Sequence, residues 1–122
     1  MAWKFAAALE PLGLGKHHFG LMNLIDSEPG SAQQELAKRS LIDPSSMVAV
    51  IDELERMGLA ERRQHPEDRR KRAVYLTAEG RRTLERARAV AIETAREVFA
   101  PLDEREVATL RKLLRKLAGV ES

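Results

Sequence analysis

Cysteine is absent from the 122 residues. That excludes disulfides, thiol redox sensing and any zinc site built on thiolates. Aromatic residues are scarce, limited to Trp3, Phe5, Phe19, Tyr75 and Phe99. A single-strand binder that stacks bases on aromatic platforms needs more of them on one surface. The apolar run near the N-terminus, Phe5–Leu9, is far short of the roughly 20 residues that cross a bilayer. It also lacks the charged start, long apolar core and cleavage site of a signal peptide. A cytoplasmic location with no membrane partner is the simple expectation. No glycine-rich phosphate loop follows a strand, and no Ser-His-Asp or Cys-His set has supporting spacing, so an enzyme is not expected. The histidines are His17, His18 and His65. Neighbours such as His17 and His18 point to different sides of a helix, and His65 is far along the chain. Neither a metal site nor a cofactor is expected from them.

Charge, by contrast, is plentiful, at 33% of residues, but the net value is only +2. Its placement therefore matters more than its sum. Six basic side chains crowd the segment from Arg62 to Arg72, directly after the acidic stretch of Asp52, Glu53 and Glu55. The length fits one domain, or one domain with a helical extension.

Local signals divide the chain mainly into helices. Ala2–Leu9 reads as a short helix stopping before Pro11, and His17–Ile25 as a largely buried one. Pro29-Gly30 breaks the chain. Ser31, three residues before Gln34, has the spacing of a capping box for a short helix ending near Arg39. Asp43 then caps a second helix with Pro44 in its first position. Met47, Val50, Ile51 and Leu54 form its buried stripe, and Gly58 closes it. Leu59–Gln64 and Lys71–Leu76 pair as strands around a His65–Arg70 turn. Thr77 caps a helix reaching about Ala100. Asp103 and Glu106 box the start of a last helix that Gly119 ends. The expected fold class is mainly α with a small β-hairpin. Two packed helices followed by a basic ribbon can lay one helix in a DNA major groove and reach the neighbouring minor groove with the ribbon.

The order of elements closely resembles the MarR family of winged helix-turn-helix transcription regulators. The resemblance rests on Phe19, Pro29-Gly30, Glu35-Leu36-Ala37 and the run Ile42-Asp43-Pro44-Ser45-Ser46. It continues through Asp52-Glu53-Leu54-Glu55, Gly58-Leu59, the wing word Asp68-Arg69-Arg70, and Leu76-Thr77 followed by Gly80. It implies a winged DNA-binding region over residues 12–77 and a helical dimerisation region over 1–11 and 78–122. It also implies a homodimer on a palindromic site, and gene repression relieved by a small, often aromatic, effector. Three positions depart from the pattern. The first helix is short, Ala49 stands where many relatives carry arginine, and Ala32 occupies the usual cap position, leaving that duty to Ser31.

These readings nominate particular residues. Arg70, oriented by Asp68, suits a narrow A·T minor groove. Arg69 and Arg72 are phosphate neighbours. On the reading helix, Ser45 and Ser46 face phosphate or base edges, Val48 faces a thymine methyl, and Ala49 leaves room for close approach. Gln33, Lys38 and Arg39 face phosphate from the preceding helix. By resemblance, His17, His18 and Phe19 line an effector pocket. Trp3, Leu9, Val98, Phe99, Leu110, Leu113, Leu114 and Leu117 form the dimer seam. Double-stranded DNA and a second copy of the chain are the expected partners. The alternative is a winged-helix protein-interaction module, or a ligand-binding dimer without specific DNA contact.

Overall fold

The computed structural model describes residues 7–40 and 42–119. Trp3 and the beginning of the expected first helix lie outside them. Residues 7–9 are helical and lead into a 3₁₀ turn, Glu10–Leu12, which ends at Gly13 in the left-handed region (φ 73°). The elements that follow are α1 (Lys16–Ser27), β1 (Ser31–Ala32), α2 (Gln33–Ser40), α3 (Pro44–Arg56), β2 (Ala60–Gln64), β3 (Arg72–Leu76), α4 (Ala78–Phe99) and α5 (Glu104–Ala118).

Helix α3 starts as its sequence predicts. The Asp43 carboxylate accepts from the Ser46 amide at 3.0 Å, and Pro44 supplies a fixed φ in the first turn. Met47, Ile51 and Leu54 fall on one face and are fully buried. They meet Leu21, Met22 and Ile25 of α1, Leu36 of α2, Val74 of β3 and Leu84 of α4 in one core. Gly58, at φ 75°, ends the helix and turns the chain into β2.

The sheet has three antiparallel strands in the order β1-β3-β2. Hairpin register runs from Ala60 opposite Leu76 to Gln64 opposite Arg72. The third strand corrects the sequence reading. Ser31 pairs with Val74 and Ala32 with Ala73, and the Ser31 hydroxyl donates backwards to the Glu28 carbonyl at 2.8 Å instead of capping α2. The bare edge of β3 recruits these two buried residues because unpaired backbone groups there would otherwise be lost to the core. Two residues are too few to carry a strand periodicity.

Leu9 is a second correction. It is fully buried in this chain's own core and is not available to a seam between copies.

Thr77 caps α4, accepting from the Gly80 amide at 2.9 Å while its hydroxyl donates to the Gly58 carbonyl at 2.6 Å. The bond to Gly58 fastens the start of α4 to the end of α3. Along α4, burial reaches Thr83, Leu84 and Ala87 and goes no further. Helix α5 carries the predicted Asp103–Glu106 capping box and the left-handed Gly119, yet none of its described side chains is buried. Among the described residues no helix is long and apolar enough to cross a membrane.

Candidate nucleic-acid interface

The outward face of α3 presents Ser45, Val48, Ala49 and Asp52, all exposed. The hydroxyls of Ser45 and Ser46 both donate to Asp43, each at 2.6 Å. With the Ser46 amide they hold the Asp43 carboxyl well below the usual carboxylate range, the Ser45 hydroxyl contributing most. To donate to a phosphate, either serine must first leave Asp43. Val48 and Ala49 keep no such prior engagement of their side chains and leave a low, apolar strip beside them.

In α2, Lys38 is exposed, with no ion pair among the described residues. Arg39 pairs with Glu28 at 2.9 Å. Gln33 accepts from the Nε of Arg62 at 2.9 Å, which leaves its amide nitrogen to donate outward. The structure therefore keeps Lys38 open for phosphate and gives Gln33 and Arg39 local duties as well.

Arg62 is the residue that sequence reasoning missed. It lies on β2 with its side chain only 15% exposed. Besides Gln33, its guanidinium reaches Asp52 Oδ1 at 2.7 Å, the Glu55 carboxylate, and the Val48 carbonyl at 3.3 Å. One side chain thus joins α2, the exposed side of α3 and the root of the wing. Asp52 and Glu55, three residues apart on one helix face, were the available signal, since such a pair attracts a cation.

At the wing tip Asp68 organises the turn. It accepts the Arg70 amide at 3.0 Å and the guanidinium Nε at 3.2 Å, with a longer contact of 3.5 Å from Nη2. The Arg70 amide first, then its guanidinium, lowers the Asp68 pKa. Arg70 itself is 91% exposed, so its charge is oriented but still presented to solvent. Arg69 and Arg72 are exposed beside it. Arg63 is occupied elsewhere, 4.5 Å over the Tyr75 ring and paired with Glu61.

The start of α1 differs from expectation. His17 and His18 are neighbours, yet both Nε2 atoms approach the same Glu53 oxygen of α3, at 3.6 and 2.6 Å. Their rings lie 4.1 Å apart between centroids. His18 is buried, and Phe19 packs half-buried against the core. On the far helices Val98, Phe99 and Leu110 are half-buried. Leu113 and Leu114 are 53% exposed and Leu117 is 85% exposed. Ala95, Phe99, Val107, Leu110 and Leu114 line an apolar groove of about 470 Å³ between α4 and α5.

Residues 16–71 match the model of the MarR family. Among curated relatives, the HTH-type transcriptional repressor Rv2887 of Mycobacterium tuberculosis is 32% identical over 114 residues, covering 93% of this chain and 82% of the repressor. A relative from Thauera aromatica is 33% identical over 104 residues, which are 85% of this chain and 63% of that protein; the chain thus spans less than two thirds of its length. Solved structures agree. Wild-type MarR from E. coli, in its apo form, superposes with a TM-score of 0.87 at 28% identity, over 95% of this chain and 87% of that one. The transcriptional repressor CouR bound to a 23-mer DNA duplex gives 0.88 at 31% identity, over 96% and 83%. PcaV from Streptomyces coelicolor, in complex with its natural ligand, gives 0.77 at 26% identity, over 93% and 83%. Fold, wing and sequence agree, and the chain belongs to the MarR family of winged helix-turn-helix transcription regulators.

Proposed function

We propose that this chain binds double-stranded DNA as a homodimeric transcription regulator, acting as a repressor at a palindromic operator. The observation that carries the reading is the pairing of an exposed, Asp68-oriented Arg70 with the open face of α3, joined through Arg62. Helix α3 enters the major groove, with Val48 and Ala49 against base edges and Lys38 on phosphate. The wing follows the strand into the minor groove, where a narrow, negative floor favours an arginine. The solved complex of the similar repressor CouR with a 23-mer duplex supports binding to double-stranded DNA.

Dimerisation falls to the C-terminal half of α4 and to α5. Leu113 and Leu114 are about half open to water in one chain and Leu117 largely so, and covering what remains exposed is worth roughly 1 kcal/mol for each of the first two and about 2 kcal/mol for Leu117. In a two-fold dimer the two α3 helices meet half-sites about one DNA turn apart, roughly 34 Å. A small effector, supported by the liganded PcaV structure, shifts that spacing. His17, His18 and Phe19 stand near the joint between α1 and α3, where such a shift would be felt.

Sites selected from random duplex DNA supply the operator, and gel shifts on it supply the test. Arg70→Ala should weaken operator binding by roughly 1–3 kcal/mol while the chain stays folded. Wild-type affinity in that variant would remove the wing from the interface.

A further inference from the structure

The cluster of His17, His18 and Glu53 is not needed by the DNA-binding reading, and its geometry is unusual. His18 Nδ1 accepts the Gly15 amide at 2.9 Å. Its Nε2 must therefore carry the ring proton and donate it to Glu53 Oε2 at 2.6 Å. His17 Nε2 lies 3.6 Å from the same oxygen. One ligand atom from each residue falls within 4.8 Å of the other two. Ligand atoms around a tetrahedral zinc stand roughly 3.3 Å apart, from metal–nitrogen bonds of about 2.0 Å. Small side-chain shifts bring the three to that spacing.

The second observation is Gly15. Its φ of −90° suits any residue, and an N-cap normally favours a side chain that accepts from the helix. A Cβ there would lie 2.8 Å from His17 Cε1 and 3.0 Å from its Nδ1. Glycine leaves the room that lets the His17 ring fold back toward Glu53. A hydrogen bond between His18 and Glu53 alone would not require it.

We infer that His17, His18 and Glu53 form a site for a divalent transition metal of the zinc class, bridging the start of α1 to the reading helix α3. Imidazole is a borderline ligand, and two imidazoles with one carboxylate make a set suited to Zn²⁺. Three protein ligands leave one position open to water, and half-exposed His17 gives the ion a way in. The ion takes the place of the proton now shared between His18 and Glu53. That proton moves to His18 Nδ1, so the ring stays neutral overall. The Gly15 amide, which now donates to Nδ1, must turn away, because a metal-bound imidazole carries hydrogen on its other nitrogen. Gly13 and Gly15 give the loop the freedom to do so.

The test is titration of Zn²⁺ alone into the full chain, with Co²⁺ absorption reporting tetrahedral geometry. Saturable binding of one ion per chain is expected. His17→Ala and Glu53→Gln should each weaken it by roughly tenfold or more, and His65→Ala on the wing should not. Circular dichroism confirms that each variant is folded. Nitrogen NMR should show His18 changing from the Nε2–H to the Nδ1–H tautomer as zinc is added. No saturable binding, or binding that survives both variants, overturns the site. None of these readouts involves DNA, so failure here is distinct from failure of the operator reading.

Discussion

Gly80→Ala sets two physical rules against each other and gives opposite signs. Position 80 is in the first turn of α4, where helix propensity alone favours alanine by up to about 1 kcal/mol. The structure predicts the reverse. A Cβ at this position would lie 2.0 Å from the Leu59 carbonyl oxygen and 2.9 Å from its carbon. Reaching ordinary van der Waals contact requires the helix start to retreat by roughly 1.5 Å. Leu59 O accepts from the Thr77 amide at 3.0 Å, and Gly58 O accepts the Thr77 hydroxyl at 2.6 Å. The retreat stretches both. Two hydrogen bonds at about 1 kcal/mol each and overpacking of about 1–3 kcal/mol outweigh the propensity gain. The expected net loss is roughly 2–4 kcal/mol, which lowers the melting midpoint by roughly 10 °C in a chain of this size. Thermal unfolding at one fixed protein concentration measures it, since association shifts the midpoint with concentration. A midpoint equal to or above wild type would refute the close approach of α4 to Leu59.

Three further expectations follow from other parts of the molecule. Leu114→Asp should lower the dimer fraction in sedimentation velocity, and intact dimers at wild-type concentrations would exclude α5 from the seam. Arg62→Met frees Asp52 and Glu55 and should weaken operator binding by about 1 kcal/mol, or roughly fivefold, without unfolding the chain; unchanged affinity in gel shifts would show that this clamp does not set the reading geometry. Asp43 is held below its ordinary value near 3.8 in the folded state, so its contribution is complete above that value and is lost as pH falls below it. The stability gap between wild type and Asp43→Asn should therefore be widest near neutral pH and shrink in denaturation at about pH 3. A gap independent of pH would contradict the cap's charge.

Elements with their signals inside one turn of chain were legible in the sequence. Asp43-Pro44, Thr77, the Asp103–Glu106 box, Gly58 and Gly119 mark helix ends within a few residues of the groups they satisfy. The Asp68–Arg70 pair was legible for the same reason, since both groups sit in one turn. The two-residue strand β1 was not, because its partner among the described residues is β3, more than forty residues later. The inward turn of Leu9 depends on which way its segment lies against the core.

The functional joints were the least visible. Arg62 meets Gln33 across 29 residues, and His18 meets Glu53 across 35. Periodicity told which face of α1 and α3 was apolar, and it placed His17 and His18 on different sides. Only the packing of α1 across α3 could bring both rings to one carboxylate. By itself, then, the sequence determined where α3, α4, α5 and the hairpin begin and end, because their caps and turns satisfy their own neighbours. The tertiary structure decided which charged groups meet, because that depends on the angles at which the shared core of Met47, Ile51, Leu54 and Met22 holds the helices.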